Sequence, residues 1–349
     1  TGHHATPALE VLGFAHRRSA ALSLEMLDAA AGCDSHDRAR ARVARHGPRF
    51  SKSSWLRDIE VMSTMAQSSL NAWLEAPTTA GPLGALSAAA RRIVLGFDGG
   101  RIQTRTYKRG RKKANGYRDF HTSWVEPRQV VIYAIDEHGK RDEEFGRIAL
   151  ASLDSPDQLF ATMVTYFKAL RLHQAAQVIV TADGQHWQWE RLRQGLAAAG
   201  VAQERITEVL DMGHALGRLA EISHLPKKWG QGARVRWYLK GKKLLKAGKI
   251  EQLEQMCLEL AKGSRAKEVK SLTHYFSEHR ERMRYETFAA KAMPWGSGAV
   301  ESMIRQVMNL RLKGSGKFWT RERAEQMLLL RCWFVTGRLE ALWGWTLRH

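Results

Sequence analysis

The chain has 349 residues, 44% of them hydrophobic, which is enough for a sizeable core and two or three domains and excludes wholesale disorder. Its 55 Lys and Arg against 35 Asp and Glu give a formal charge of +20, a field that draws polyanions, nucleic acid first and membrane surface second. No stretch is apolar enough to span a bilayer, and Cys33, Cys257 and Cys332 are too scattered for a disulfide framework or a cysteine zinc site, as expected of a reducing cytosol.

Residues 1–88 read as a helical N-terminal domain, either DNA-binding or dimerising. In "TPALEVLGFAHRRSAALSLEMLDAA", Leu9, Leu12, Ala15, Ala20, Leu22 and Leu24 recur at helical spacing. "SHDRARARVARHG" is a basic helix, and "SSWLRDIEVMSTMAQ" opens on a serine N-cap option followed by a helical pattern. The opening residues show no signal-peptide pattern.

From about residue 89 the texture changes. "RRIVLGFDGG" is a strand ending on Asp98, and "RIQTRTYKRG" alternates as a half-exposed strand does. "RKKANGYRD" is a basic turn with Asn115-Gly116 as a hairpin signal, and "RQVVIYAIDEHG" is a third strand, so a three-strand antiparallel meander is predicted. "DSPDQLFATMVTYFKAL" is a helix capped at Asp154 or Ser155. "QVIVTADG" is a strand ending on Asp183, "HWQWERLRQGLAAAG" a helix, and "RITEVLDMGHALG" a last strand running into a helix. The order βββαβαβα over 89–221 matches a ribonuclease H-like α/β fold, a mixed sheet flanked by helices. Its first and fourth strands lie side by side, so Asp98 and Asp183 end at one edge.

Residues 222–292 predict a basic helical insertion. Between Ile222 and Ile250 there is no acid but nine cations: Lys227, Lys228, Arg234, Arg236, Lys240, Lys242, Lys243, Lys246 and Lys249. Trp229, Trp237 and Tyr238 interleave with them, a mixture suited to phosphate contact and base stacking, or else to a solvated face over core tryptophans. Residues 293–349 return to the core. "PWGSGAVESMIRQVMNLRLKGSGKFW" is a Gly-rich turn into a helix that Ser297 can cap; Val300, Met303, Ile304 and Val307 form its apolar stripe and Glu301 points off it. A last amphipathic helix follows Thr320.

Two strand-end aspartates and a glutamate on a later helix form a set of carboxylates that repel unless a cation is present. Hard divalent ions take oxygen ligands and leave room for phosphate. A strand-end Asp-Gly taken alone is more often a turn; two of them with a glutamate-bearing helix in a +20 chain point to metal-assisted phosphoryl transfer.

"GFDGGRI", "VTADGQHWQW", "VLDMGHALGRL" and the "WGSGAVESMIRQVMNLRLKGSGKFW" segment together resemble the DDE transposases of bacterial insertion sequences, the ISKra4 family most closely, with the IS66 and Mutator-like groups as cousins. The likeness spans roughly residues 90–335. It implies a ribonuclease H-like core interrupted by the insertion, a catalytic and metal-binding triad of Asp98, Asp183 and Glu301, and two Mg²⁺ or Mn²⁺ ions. It also implies cleavage of double-stranded DNA at element ends and 3′-OH strand transfer into target DNA by a homodimer.

His214, beside Asp211 at the end of the last strand, either orients the nucleophile or is a hydrogen-bonded structural histidine. Trp187 is a core residue or a base-stacking one. Arg305, one turn after Glu301, is expected to pair with it or with phosphate, and Arg311, Lys313 and Lys317 to meet the DNA backbone. Lys108, Arg109, Arg111, Lys112 and Lys113 form a basic hairpin tip, read as a DNA clamp or a solvated turn. A nuclease of the same fold that never joins strands, and a non-catalytic DNA-binding derivative, remain open alternatives.

Overall fold

The computed structural model describes the chain except residues 1–13, 16–17, 78–80, 112, 115 and 117. Leu9, Leu12, Lys112 and Asn115 therefore lie outside the described residues. Ala15, expected in the first helix, lies instead in a short strand. Phe14–Ala15 (β1) pairs antiparallel with Arg18–Ser19 (β2), and helix α1, Ala20–Gly32, starts where the Ser19 hydroxyl accepts the Leu22 N–H. Helices α2 (His36–Val43) and α3 (Lys52–Glu75) start at Ser35 and Ser51, which cap in the same way.

A five-stranded mixed sheet forms the centre. Its strands are β3 (Arg92–Gly99), β6 (Arg128–Ile135), β7 (Arg147–Ser152), β8 (Gln177–Ala182) and β9 (Ile206–Leu210), in the order β7-β6-β3-β8-β9. β3 runs antiparallel to β6 and parallel to β8, which is parallel to β9. β3, β6 and β8 are almost wholly buried, as central strands covered on both faces must be. The predicted meander is corrected: Ile102–Tyr107 (β4) leaves the sheet and pairs with an unpredicted strand, Phe120–Val125 (β5), as a separate ribbon. The third sheet strand is instead "RIALAS", β7, whose short run of small apolar residues carries little strand signal.

One sheet face is covered by α4 (Pro156–Ala169, with a Ser155–Gln158 capping box) and α5 (His186–Ala198), through Phe97 stacked on Phe160 at 5.6 Å. After β9 come α6 (Met212–His224), α7 (Gln231–Lys246), α8 (Ile250–Leu258), α9 (Ala266–Glu278) and α10 (Tyr285–Ala290), so 222–292 is helical as expected. Then α11, Gly298–Ile304, returns to the sheet. The predicted last helix is two, α12 (Arg321–Val335, capped by Thr320) and α13 (Leu339–Thr346), broken where Gly337 takes φ +72°. Helices α1 and α3 pack on α12 and α13, and α2 packs on α1 and α3, within one continuous apolar core that also holds the sheet. Among the described residues, no helix is long and apolar enough to cross a membrane.

Candidate active site

Strand register builds the site. Gly96 of β3 lies opposite Thr181 of β8, and two residues further along stand Asp98 and Asp183. Ala182 lies opposite Leu210 of β9, and one residue further stand Asp183 and Asp211. Three neighbouring parallel strands thus end in aspartate at one level. The Asp211 N–H donates to the Ala182 carbonyl at 2.9 Å, which carries the register past the last ladder pair.

Glycines bring the glutamate helix onto this row. Positions 96, 98 and 100 share one face of β3. A Cβ at Gly96 would strike the Val300 side chain, and one at Gly100 would strike the end of the Met308 side chain and touch Ile304. The α11 stripe of Val300 and Ile304 therefore lies on the strand on both sides of Asp98, closer at 96 than any side chain there would allow. Val300, Met303 and Val307 are buried and Glu301, off the stripe, is exposed.

Ser297 does not cap α11 through its side chain. Its hydroxyl donates to Glu301 Oε1 at 2.6 Å, and its N–H donates to the Asp211 carboxylate. Asp211 also accepts the His214 N–H at 2.9 Å and faces His214 Nδ1 at 3.4 Å. This one carboxylate, only 2% exposed, therefore caps α6 and tethers the start of the glutamate helix. Burial pushes Asp211 up, but the hydrogen bonds from His214 and Ser297 outweigh it and bring its pKa down to about 2. His214 is raised, chiefly by Asp211 and then by Asp183 and Asp98, so a histidine paired with a carboxylate is what stands here.

Asp98 behaves differently. Burial raises its pKa, the Asp183 and Asp211 carboxylates add to this, and the Gly99 N–H at 2.6 Å and His214 offset part of it. Asp183 accepts the Gln185 N–H at 2.9 Å and the Gln185 amide at 3.0 Å. Cross-strand from Asp98, Gln129 is fully buried, and neither its Oε1 nor its Nε2 has a partner. In kind, an all-oxygen set around an under-compensated carboxylate, beside an orphaned amide, fits a hard divalent cation. Among the described residues, no three His, Cys, Asp or Glu side chains stand close enough together to hold one in this arrangement.

The predicted nucleic-acid residues divide. Lys108, Arg109, Arg111 and Lys113 are exposed at the tip of the β4–β5 ribbon, Lys113 paired with Asp119 at 2.8 Å. Lys227, Lys228, Arg236, Lys240 and Lys243 are exposed on and before α7, while Arg234 and Lys242 are half-buried and Arg234 meets His224 at 3.4 Å. Trp229 and Trp237 pack partly into the core, ring centres 6.0 Å apart, which fits a cationic face over core tryptophans. Arg305 and Lys313 are exposed.

Arg311 is a correction. It is 3% exposed, and its guanidinium donates to the Ala30 and Asp34 carbonyls at 3.1 and 3.3 Å. With buried Arg331, which donates to Ala31 and Gln306, it satisfies carbonyls at and just beyond the end of α1. Lys317, half-buried beside it, reaches the Leu310 carbonyl at 3.5 Å. Trp187 packs against Phe97 and Phe160 and gives its indole N–H to Gln185, so it braces the Asp183 turn. Residue spacing alone did not reveal the tethering by Asp211 and Ser297, nor Gln129. The short D-x-x-H of "DMGH" was the one available signal.

No protein-family model matches the chain, and a search of curated proteins finds no match.

Proposed function

We propose that this chain is a DDE-type transposase with a ribonuclease H-like core, cutting phosphodiester bonds at element ends and joining the freed 3′-OH to target DNA. The observation that carries the reading is the row of strand-end aspartates with the Glu301 helix seated on the same sheet face by Gly96 and Gly100. The strand order β7-β6-β3-β8-β9, with β6 alone antiparallel to the other four strands, supports the core assignment.

Asp98, Asp183 and Glu301 would hold Mg²⁺ or Mn²⁺. When bound, such ions polarise the phosphate and favour the ionised nucleophile. The chain's own residues do the rest. Asp211 and Ser297 keep Glu301 at the row. His214, its charge favoured by three carboxylates, offers a proton or hydrogen bond at the scissile phosphate. In the first step a water oxygen attacks phosphorus in line and the 3′-oxygen leaves. In the second that 3′-hydroxyl attacks a target phosphorus and a target 3′-oxygen leaves. The ribbon tip and the α7 face grip the duplex through phosphate contacts.

The test is a cleavage and strand-transfer assay on labelled duplexes carrying the ends of the surrounding element, in Mg²⁺ or Mn²⁺, with Glu301→Gln alongside. Joining by the wild type that is lost in the variant supports the reading. Cleavage without joining identifies a nuclease, and binding without chemistry a DNA-binding derivative.

A further inference from the structure

The helical insertion is more than a basic surface. Tyr275, His279 and Arg282 stand at i, i+4 and i+7 at the end of α9 and in the turn after it, and so share one face. That face is pressed against the turn that carries Asp183. The Tyr275 hydroxyl donates to the Asp183 carbonyl at 2.9 Å. Gly184, with φ +98°, lies so close that a Cβ there would stand 2.7 Å from the Tyr275 hydroxyl oxygen and 2.8 Å from Leu210 Cδ1. Only glycine suits both the backbone and the space.

His279 is 2% exposed and sits edge-on to the Tyr275 ring at 4.8 Å. Its Nδ1 faces Arg282 Nη1 at 2.8 Å. A guanidinium can only donate, so Nδ1 accepts and Nε2 carries the proton. The Gly184 backbone lies near this ring, and Nε2 is the nitrogen that Arg282 leaves free. Arg282 anchors the group below. It donates to Glu208 of β9 at 2.7 Å, shares Glu208 with Arg193 of α5, and stacks over Trp189 at 4.7 Å. Arg218 of α6 lies over the Tyr275 ring at 5.4 Å.

We infer that Tyr275, supported by His279, is a positioning residue for Asp183: the insertion forms one wall of the carboxylate site and fixes the turn from which Asp183 projects. The consequence for chemistry rests on the transposase reading; the wall itself does not. The insertion thus supplies both a DNA-facing cationic helix and the clamp on a site carboxylate. Nothing in its composition separates those two tasks.

Tyr275→Phe removes the hydroxyl and keeps the ring, and His279→Gln keeps a polar side chain that can accept from Arg282. Two readouts apply to the full chain without any turnover: amide hydrogen exchange across 183–187 and calorimetric binding of Mn²⁺. Losing one such hydrogen bond speeds local exchange about tenfold. We expect that increase in Tyr275→Phe, a Mn²⁺ affinity weaker by about five- to tenfold, and metal-free DNA binding unchanged. His279→Gln should lie close to wild type and His279→Leu close to Tyr275→Phe.

Unchanged exchange at 183–187 in Tyr275→Phe overturns the inference. So does faster exchange with unaltered Mn²⁺ affinity while Asp183→Asn lowers that affinity. If the wild type binds no Mn²⁺ at all, the transposase reading falls, and the exchange data still decide whether Tyr275 fixes the turn.

Discussion

The carboxylate row and the cationic face of α7 are opposite in charge and in how tightly they are held. At the row every group is constrained: Gly99 donates to Asp98, Gln185 to Asp183, His214 and Ser297 to Asp211, and the Ser297 hydroxyl to Glu301. On α7, Arg236, Lys240 and Lys243 stand exposed on long stems, in a stretch without a single acid to hold them. Placing reacting atoms needs groups fixed before substrate arrives. Attracting a polyanion needs only charge, since counterion release is indifferent to side-chain pose.

The largest effect should come from the row. Asp98→Asn, Asp183→Asn or Glu301→Gln is expected to lower strand transfer at least ~10³-fold with duplex binding intact. Any one that keeps its activity leaves the site. Gly96→Ala comes next: the added methyl drives into Val300 and should cost about 1–3 kcal/mol in chemical denaturation, while displacing Glu301. Unaltered stability would mean that α11 does not sit where the close approach puts it.

On the other region, Arg236→Gln, Lys240→Gln and Lys243→Gln together should flatten the salt dependence of duplex binding by about 2–3 in log–log slope, roughly 0.9 per lost phosphate contact. An unchanged slope would make α7 a solvated face.

The smallest effect lies outside both regions and serves as a control on them. His36, which accepts the Trp55 indole N–H at 3.3 Å, is pushed down to about 4, first by burial and then by Arg311 and Arg323. Its neutral form belongs to the fold. The stability it contributes is present above its unfolded value near 6.5 and is lost as pH falls towards 4. Melting curves at pH 7 and 4.5 should differ by about 1–2 kcal/mol more for the wild type than for His36→Gln. Equal differences would show that His36 titrates normally.

Local chemistry made much of this legible. Ser35, Ser51, Ser155 and Thr320 cap helices where their hydroxyls precede an apolar period, and β3 and β8 announce themselves as unbroken apolar runs. The ribbon escapes the sequence because β4 alternates like any half-exposed strand while β5 is exposed along its length; whether β4 joins the sheet depends on which edge is free, and β3 already has β6 and β8 beside it. Arg311 was misread for a related reason. In sequence it belongs to a basic segment, and only the end of α1, far away in the chain, turns it inward to the Ala30 and Asp34 carbonyls.

The sequence by itself determined the charge, the strands that end in Asp98, Asp183 and Asp211, and the helix that bears Glu301, because these depend on residues within a few positions of one another. The tertiary structure decided what the carboxylates do. Register set three of them in a row, Gly96 and Gly100 let α11 descend beside Asp98, and Asp211 and Tyr275 became supports for Glu301 and Asp183. Those roles are contacts between segments from about 30 to about 200 residues apart, and a contact of that kind has no signature at either end until the chain has closed on it.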